Sequence, residues 1–202
     1  MTVIDFVQGG SNYAIENILD ACKWFGQISV YATSPDSFNN FFIENNKILG
    51  IGSETTNPAI SIIPLGSNVF IRGNQIVCGT GRAISVSSII NCVIENNRIS
   101  CSDNASERVI STTGTVAKCI IKGNILFDGV RQCFIGIDSA NAVVVDNHVK
   151  SNTPLFRNSA GNSNSLIANN SIDGTAFIYS NTNSMIGNRL GGNYNFQNQA
   201  VM

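Results

Sequence analysis

A chain of 202 residues is long enough for a single domain with one continuous core. Only 12% of the residues are charged and the formal net charge is -1, so no basic stripe is available to neutralise phosphates and a nucleic-acid partner is disfavoured. No apolar stretch approaches the roughly 18 residues of a membrane span, and the first ten residues lack the pattern of a secretory leader. We therefore expect no membrane insertion and synthesis in the cytoplasm without a signal peptide.

Near the N-terminus, apolar residues at spacings of three and four predict one amphipathic helix over residues 12–25. Gly26 follows directly, as is common after the end of a helix. The apolar positions are Ile15, Ile18, Leu19, Cys22 and Phe25. We expect this helix to cap the N-terminal end of the repeats that follow, where the core would otherwise be open to solvent.

One short element then recurs seven times, first as FFIENNKI and last as SMIGNRL. The second polar residue of each copy, which we call the anchor, is always asparagine. The anchors are Asn46, Asn74, Asn97, Asn124, Asn147, Asn170 and Asn188, at intervals of 28, 23, 27, 23, 23 and 18 residues. These intervals are typical of the coils of a solenoid.

The residue before each anchor is Asn, Asp or Gly, the types that best tolerate a left-handed backbone, so a tight corner is predicted there. Three residues before and two residues after the anchor, the side chain is aliphatic or Met in every copy, and both positions should face the core. We expect the anchors to form a ladder of amides inside the corner. A further strand recurs midway through each coil, for example in GRAISV and QCFIGI.

Short strands on both sides of a sharp turn, with no room for helices, indicate parallel strands stacked coil on coil at about 4.8 Å. The predicted fold is an all-β parallel β-helix of about seven to eight coils with a short N-terminal capping helix. We expect one domain over residues 1–202, with an N-terminal segment over 1–35 that contains the helix, repeated coils over 36–192 and a C-terminal tail over 193–202.

The N-terminal segment resembles that of pectate-lyase-like right-handed parallel β-helix domains, which are common in bacteriophage tail spikes and polysaccharide-degrading enzymes. The matching parts are the V-x-D-F piece Val3–Phe6, the Gly/Asn-rich loop Gly9–Asn12, the helical stretch Ala14–Phe25, Gly26, the strand Ile28–Tyr31 and Pro35. The family's acidic cluster before the helix is replaced here by Gly10, Ser11, Asn12 and Tyr13. The resemblance implies a location in the virion as part of a phage tail, a homotrimer and a bacterial surface glycan as partner.

Two outward columns are predicted on the strand before each anchor. Opposite charges alternate along Glu44, Arg72, Glu95 and Lys122, which we interpret as a solvated ladder worth about 0.2–1 kcal/mol per pair rather than a catalytic group. The other column is apolar and consists of Phe42, Phe70, Val93, Ile120, Val143 and Leu166. It needs a cover, either the chain's own loops, such as the regions of Phe38 and 194–196, or the same face of other subunits.

Catalysis on a polysaccharide would require two carboxylates roughly 5–10 Å apart on an exposed surface. The least implausible set is Glu107, Asp128 and Asp138, in the fourth and fifth coils, with Arg108 and Arg131 placed to hold an acidic sugar. The alternative interpretation is that all five are ordinary turn and surface residues.

Metal and cofactor sites are not predicted. The six cysteines show no CxxC spacing, and His148 alone cannot complete a zinc site with them, so buried free thiols are expected rather than a disulfide framework.

Three functions remain open at this point. The first is a phage tail-spike or receptor-binding module that binds bacterial surface polysaccharide or supports the spike. The second is a depolymerase, a glycoside hydrolase or lyase acting on capsule or O-antigen. The third is a purely structural part of a larger assembly that contacts no sugar.

Overall fold

A computed structural model of the chain describes residues 4–6, 10–20, 28–31, 38–51, 58–63, 68–79, 81–101, 105–114, 116, 118–127, 131–137, 141–150, 156–158, 165–173, 176–179, 184–191 and 194–197, in some strands for the backbone alone. The first strands are β1 (Ile4–Phe6), β2 (Gly10–Ile15), β3 (Ile18–Asp20), β4 (Ile28–Tyr31), β5 (Phe38–Glu44), β6 (Lys47–Ile51), β7 (Ile60–Ile63), β8 (Asn68–Arg72), β9 (Gln75–Cys78), β10 (Ile84–Ser87), β11 (Asn91–Glu95) and β12 (Arg98–Cys101). They are followed by β13 (Ala105–Thr113), β14 (Lys118–Lys122), β15 (Ile125–Leu126), β16 (Arg131–Ile137), β17 (Ala142–Val145), β18 (His148–Val149), β19 (Phe156–Asn158), β20 (Leu166–Ala168), β21 (Ser171–Ile172), β22 (Ala176–Tyr179), β23 (Ser184–Ile186), β24 (Arg189–Leu190) and β25 (Tyr194–Gln197).

These strands form three parallel sheets. Sheet A contains nine strands in the order β1-β4-β7-β10-β13-β16-β19-β22-β25. Sheet B contains eight, from β2 through β5 and β8 to β23, and sheet C contains eight, from β3 through β6 and β9 to β24. The chain visits the sheets in the order A, B, C and then returns to A, so each pass is one coil of a parallel β-solenoid.

The predicted N-terminal helix is wrong over its first nine residues, because β2 and β3 occupy this part of the chain. Ala14 and Leu19 are buried, whereas Ile18 is 74% exposed, so the apolar residues do not share one face. A corner at Glu16 (φ 57°) shifts the alternation of side chains and produces the helix-like spacing. Residues 21–27 lie outside the described part of the chain.

The stretch predicted to be helical also contains a further anchor. The sequence showed seven anchors, but Asn17 is an eighth: its Nδ2 donates to Asn46 Oδ1 at 2.9 Å. The stretch expected to cap the solenoid is instead a further coil of it.

The core is confirmed wherever the structure describes it. At the position three residues before the anchor, the buried residues of successive coils are Ala14, Ile43, Ile71, Ile94, Ile121, Val144 and Ile167. At the position two residues after the anchor, the buried residues are Leu19, Ile48, Ile76, Ile99, Leu126, Val149 and Ile172. Sheet A contributes the in-register column Ile28, Ile60, Ile84, Ile110 and Ile135. Stacking of like aliphatic side chains at the strand spacing removes them from water without a helix or a second layer.

The predicted ladder of anchor amides is also confirmed. Asn74, Asn97 and Asn124 are 0% exposed. The Nδ2 group of Asn97 donates to Asn124 Oδ1 at 2.9 Å and to the Ile71 carbonyl at 2.9 Å. Its Oδ1 accepts the backbone N–H and the side-chain N–H of Asn74. Each buried amide is therefore bonded to both neighbouring coils, which removes the cost of burying it.

The corner residues have left-handed backbones, as expected. Their φ values lie between 54° and 67°, and the members are Glu16, Asn45, Gly73, Asn96, Gly123, Asp146, Asn169 and Gly187. Within this column the Asn45 side chain lies over Gly73 and that of Asn96 over Gly123, so that a Cβ atom on either glycine would collide with an amide oxygen.

Four of the cysteines are buried free thiols, in agreement with the prediction: Cys78, Cys92, Cys101 and Cys119. They stack in register as two pairs on neighbouring coils, Cys78 with Cys101 and Cys92 with Cys119. A hydrogen bond with Cys119 and burial raise the pKa of the Cys92 thiol well above its usual value, which keeps it protonated. The side chains of Cys22 and Cys133 lie outside the described residues.

Candidate functional site

Three of the five residues selected from the sequence lie on two neighbouring strands of sheet A. Glu107 and Arg108 belong to β13, and Arg131 begins β16, whose register with β13 shifts between Ala105 and Arg108. Asp128 and Asp138 lie outside the described residues, as do the side chains of Glu107 and Arg131. Pairing of β13 with β16 therefore brings the backbones of Glu107, Arg108 and Arg131 onto adjacent strands, and no carboxylate geometry follows from it.

Arg108 is the one member of this set whose side chain is described. It is half-buried, and its stem lies against Gly136 of β16, so closely that a Cβ at Gly136 would collide with Arg108 Cδ. Ile135 and Ile137 point into the core, so Gly136 faces outward by alternation. The glycine thus makes room for the arginine to lie along the sheet.

A different face presents a concave site. On sheet C, the positions one and three residues after the anchor face outward, because the anchor itself and the position two residues after it face inward. The nearer column is Lys47, Gln75, Arg98, Ile125, His148, Ser171 and Arg189, and the farther column is Leu49, Val77, Ser100, Phe127, Lys150, Asp173 and Gly191. On the coil of Asn17, the backbone positions in register with Lys47 and Leu49 are Ile18 and Asp20.

A cavity of about 350 Å³ lies between these columns, and we call it the sheet C groove. Its lining residues are Gln75, Ile76, Val77, Arg98, Ile99, Ser100 and Phe127. The cavity exists because two short side chains, Val77 and Ser100, precede the large ring of Phe127 in the farther column. Its walls combine an aromatic ring, an amide, a hydroxyl and a guanidinium group.

Phe127 holds a cation on each side along the solenoid axis. Arg98 Cζ, from the preceding coil, lies 4.8 Å from the centre of the ring, and Lys150 Nζ, from the following coil, lies 5.1 Å from it. Backbone hydrogen bonds fix this stacking: the Phe127 N–H donates to the Ile99 carbonyl and the Lys150 N–H to the Leu126 carbonyl, both at 2.9 Å. Each cation–π contact at an exposed site is worth about 0.5–1 kcal/mol.

The charge on this face is predominantly positive. Its exposed cations are Lys47, Arg98, Lys150 and Arg189. Among the described side chains of the same columns, the carboxylate is that of Asp173, and its Oδ2 lies 3.1 Å from His148 Nε2. No described carboxylate is paired with Arg98 or Lys150, so both keep their charge available to a ligand.

Sheet B carries the two outward columns that the sequence predicted. Arg72 Nε lies 2.9 Å from Glu44 Oε1, and Arg72 Nη1 lies 3.8 Å from Glu95 Oε1, so its charges pair along the axis. In the apolar column, the rings of Tyr13, Phe42 and Phe70 stack nearly parallel with centres 4.9 and 5.0 Å apart. The Phe42 ring therefore has one face against Tyr13 and the other against Phe70.

The sheet C groove was missed from the sequence. The outward columns predicted from the sequence lie on the strand before each anchor, whereas the groove lies on the strand after it. Alignment of the farther column would have shown one aromatic residue, Phe127, followed by Lys150 on the next coil.

Comparison of the chain with protein-family models, curated proteins and solved structures gave no match. The assignment of the chain to the class of parallel β-solenoids therefore depends on its stacked coils alone. Within the described ranges, no helix has the length and apolar character of a membrane span, and no cluster of three or more His, Cys, Asp or Glu side chains could hold a metal ion.

Proposed function

We propose that the chain is a receptor-binding module that binds bacterial surface polysaccharide in the sheet C groove. The observation that carries the proposal is the groove itself, about 350 Å³ lined by Phe127, Arg98, Gln75 and Ser100 on a rigid stack of coils. A concave site with an aromatic ring and a few polar groups fits a sugar better than a flat protein surface. The stacked parallel coils, an architecture that is common in bacteriophage tail spikes, support a tail-spike protein of a phage particle.

Binding without cleavage is the form of this function that the groove favours. Hydrolysis of a glycosidic bond uses two carboxylates on opposite sides of the bond. Among the residues of the groove face whose side chains the structure describes, Asp173 is the single carboxylate, and it is engaged with His148.

The test is retention on an array of bacterial capsular and O-antigen polysaccharides, together with an assay for released reducing ends. We expect retention without release, and loss of retention in Phe127→Ala. Ile90→Ala is the matched control, because Ile90 is an apolar residue 50% exposed and outside the groove. Failure to retain any polysaccharide would overturn the proposal and favour a purely structural role.

A depolymerase is the second candidate, and the pairing of β13 with β16 favours it, because Glu107, Arg108 and Arg131 then lie on adjacent strands. Release of reducing ends by the native chain, lost in Glu107→Gln and in Asp128→Asn, would establish it. Release that survives both substitutions would exclude these residues as its catalytic groups.

We also propose that the chain assembles as a homotrimer through sheet B. Tyr13 is 59% exposed and Ile120 is 39% exposed in a column whose members from Phe42 to Leu166 are all apolar. Burial of this column against copies of itself would remove it from water.

A further inference from the structure

We propose that the sheet C groove selects an anionic polysaccharide, with Arg98 and Lys150 as the two contacts for its acidic groups. The inference depends on the proposed function, since it names the class of glycan that the groove would bind. The evidence for it is the placement of charge around the groove.

The cations on the outer faces of sheets B and C have different partners. On sheet B, Arg72 lies between Glu44 and Glu95 and is largely neutralised. On sheet C, Arg98 and Lys150 are exposed and contact the ring of Phe127 instead of a carboxylate. A ligand that brings its own carboxylate to these residues would gain charge-assisted hydrogen bonds without breaking an ion pair.

Phe127 also prepares the two cations for binding. A long cationic side chain ordinarily loses conformational freedom when a ligand immobilises it, at a cost of about 0.5–1.5 kcal/mol. Contact with the ring already restricts both side chains in the free protein. The planar guanidinium of Arg98 still has N–H groups along its edge for bidentate contact with a carboxylate.

The two cations come from coils that are two steps apart, which corresponds to about 9.6 Å along the axis at the spacing of parallel strands. A polysaccharide lying along the solenoid would place the acidic groups of alternate sugars at a similar separation. The cavity, which Arg98, Gln75 and Ser100 line, then accommodates a sugar next to Arg98.

The test compares hyaluronate, which carries a carboxylate on alternate sugars, with its methyl ester, in which the same chain is neutral. We expect the native chain to bind hyaluronate and to lose at least tenfold in affinity for the ester. We expect R98Q and K150Q each to weaken binding of hyaluronate about tenfold, and added salt to weaken binding to the native chain. Lys118→Gln is the matched control, because Lys118 is an exposed lysine of sheet B whose loss should leave the affinity unchanged.

Equal binding of hyaluronate and its ester would overturn the inference, as would a loss in Lys118→Gln as large as that in K150Q. Unchanged melting temperatures of the variants exclude unfolding as the cause of any loss. Retention of neutral bacterial polysaccharides, sensitive to Phe127→Ala but not to R98Q or K150Q, would overturn the anionic class and leave the proposed function intact. Absence of binding to every polysaccharide would overturn both.

Discussion

At the scale of single residues, the repeated asparagine is explained by its chemistry. The site inside each corner needs a side chain that donates twice and accepts twice within a very small volume, and only a short amide does so. An aspartate would lack the donors, and a glutamine would be one methylene too long for the close-packed corner.

Replacement of Asn124 by alanine therefore removes the bonds that its Nδ2 group donates to the Ile94 carbonyl and to Asn147 Oδ1, and the two that its Oδ1 atom accepts from Asn97. We expect the free energy of unfolding to fall by about 3 kcal/mol, because buried partners such as the Ile94 carbonyl lose their bonds. Urea denaturation followed by circular dichroism measures the change.

Asn188→Ala is the control for this prediction. Asn188 is half-exposed, and its Nδ2 group donates to the Ile167 carbonyl, so water can replace its lost contacts. Equal losses of stability in Asn124→Ala and Asn188→Ala would show that burial in the ladder is not what makes the anchor important.

At the scale of elements, the corner turns combine a backbone requirement with a packing requirement. Gly123 has a φ of 63°, and the Asn96 amide of the preceding coil fills the space where its Cβ would lie. Where Asn and Gly alternate along this column, the side chain of each Asn therefore packs over the glycine of the next coil.

Gly123→Ala should lower the free energy of unfolding by about 2 kcal/mol, from left-handed strain and from the collision with Asn96. Asn96→Gly in the same chain should recover the part due to the collision, because glycine also tolerates the left-handed backbone there. A double-mutant cycle by urea denaturation measures this coupling. Strictly additive effects would contradict the proposed contact.

Much of this element-scale structure could be predicted from the sequence, because the anchor, the corner and the two inward positions recur with the same residue types. Asn17 escaped detection because Ile15 and Ile18, both outward, mimic a helical spacing across the corner at Glu16. The groove escaped detection for another reason. It depends on which side chains from successive coils become neighbours, and Phe127 acquires its two cations only when the coils are stacked.

At the scale of the whole molecule, the sheet B column predicts self-association. Light scattering coupled to size exclusion should give three times the chain mass of 21.6 kDa. Phe42→Glu places a charge in the middle of the stacked rings and should yield a monomer, since burial of an unpaired charge in an interface is strongly unfavourable.

Ile63→Glu is the matched control, because Ile63 is an apolar residue of sheet A that is 42% exposed. It should leave the mass of the native chain unchanged. A monomeric native chain would contradict the prediction and would mean that the column is covered within the chain.

The ladder of amides has a consequence for how such a chain can grow. Every interior coil receives the same hydrogen bonds from the coil before it and gives the same bonds to the coil after it, and the anchors at Asn124, Asn147 and Asn170 are each separated by 23 residues. A duplicated 23-residue segment inserted between two anchors would therefore meet compatible partners on both sides. Lengthening by tandem duplication thus preserves the core, and the outward residues of the new copy are free to diverge into a different binding surface.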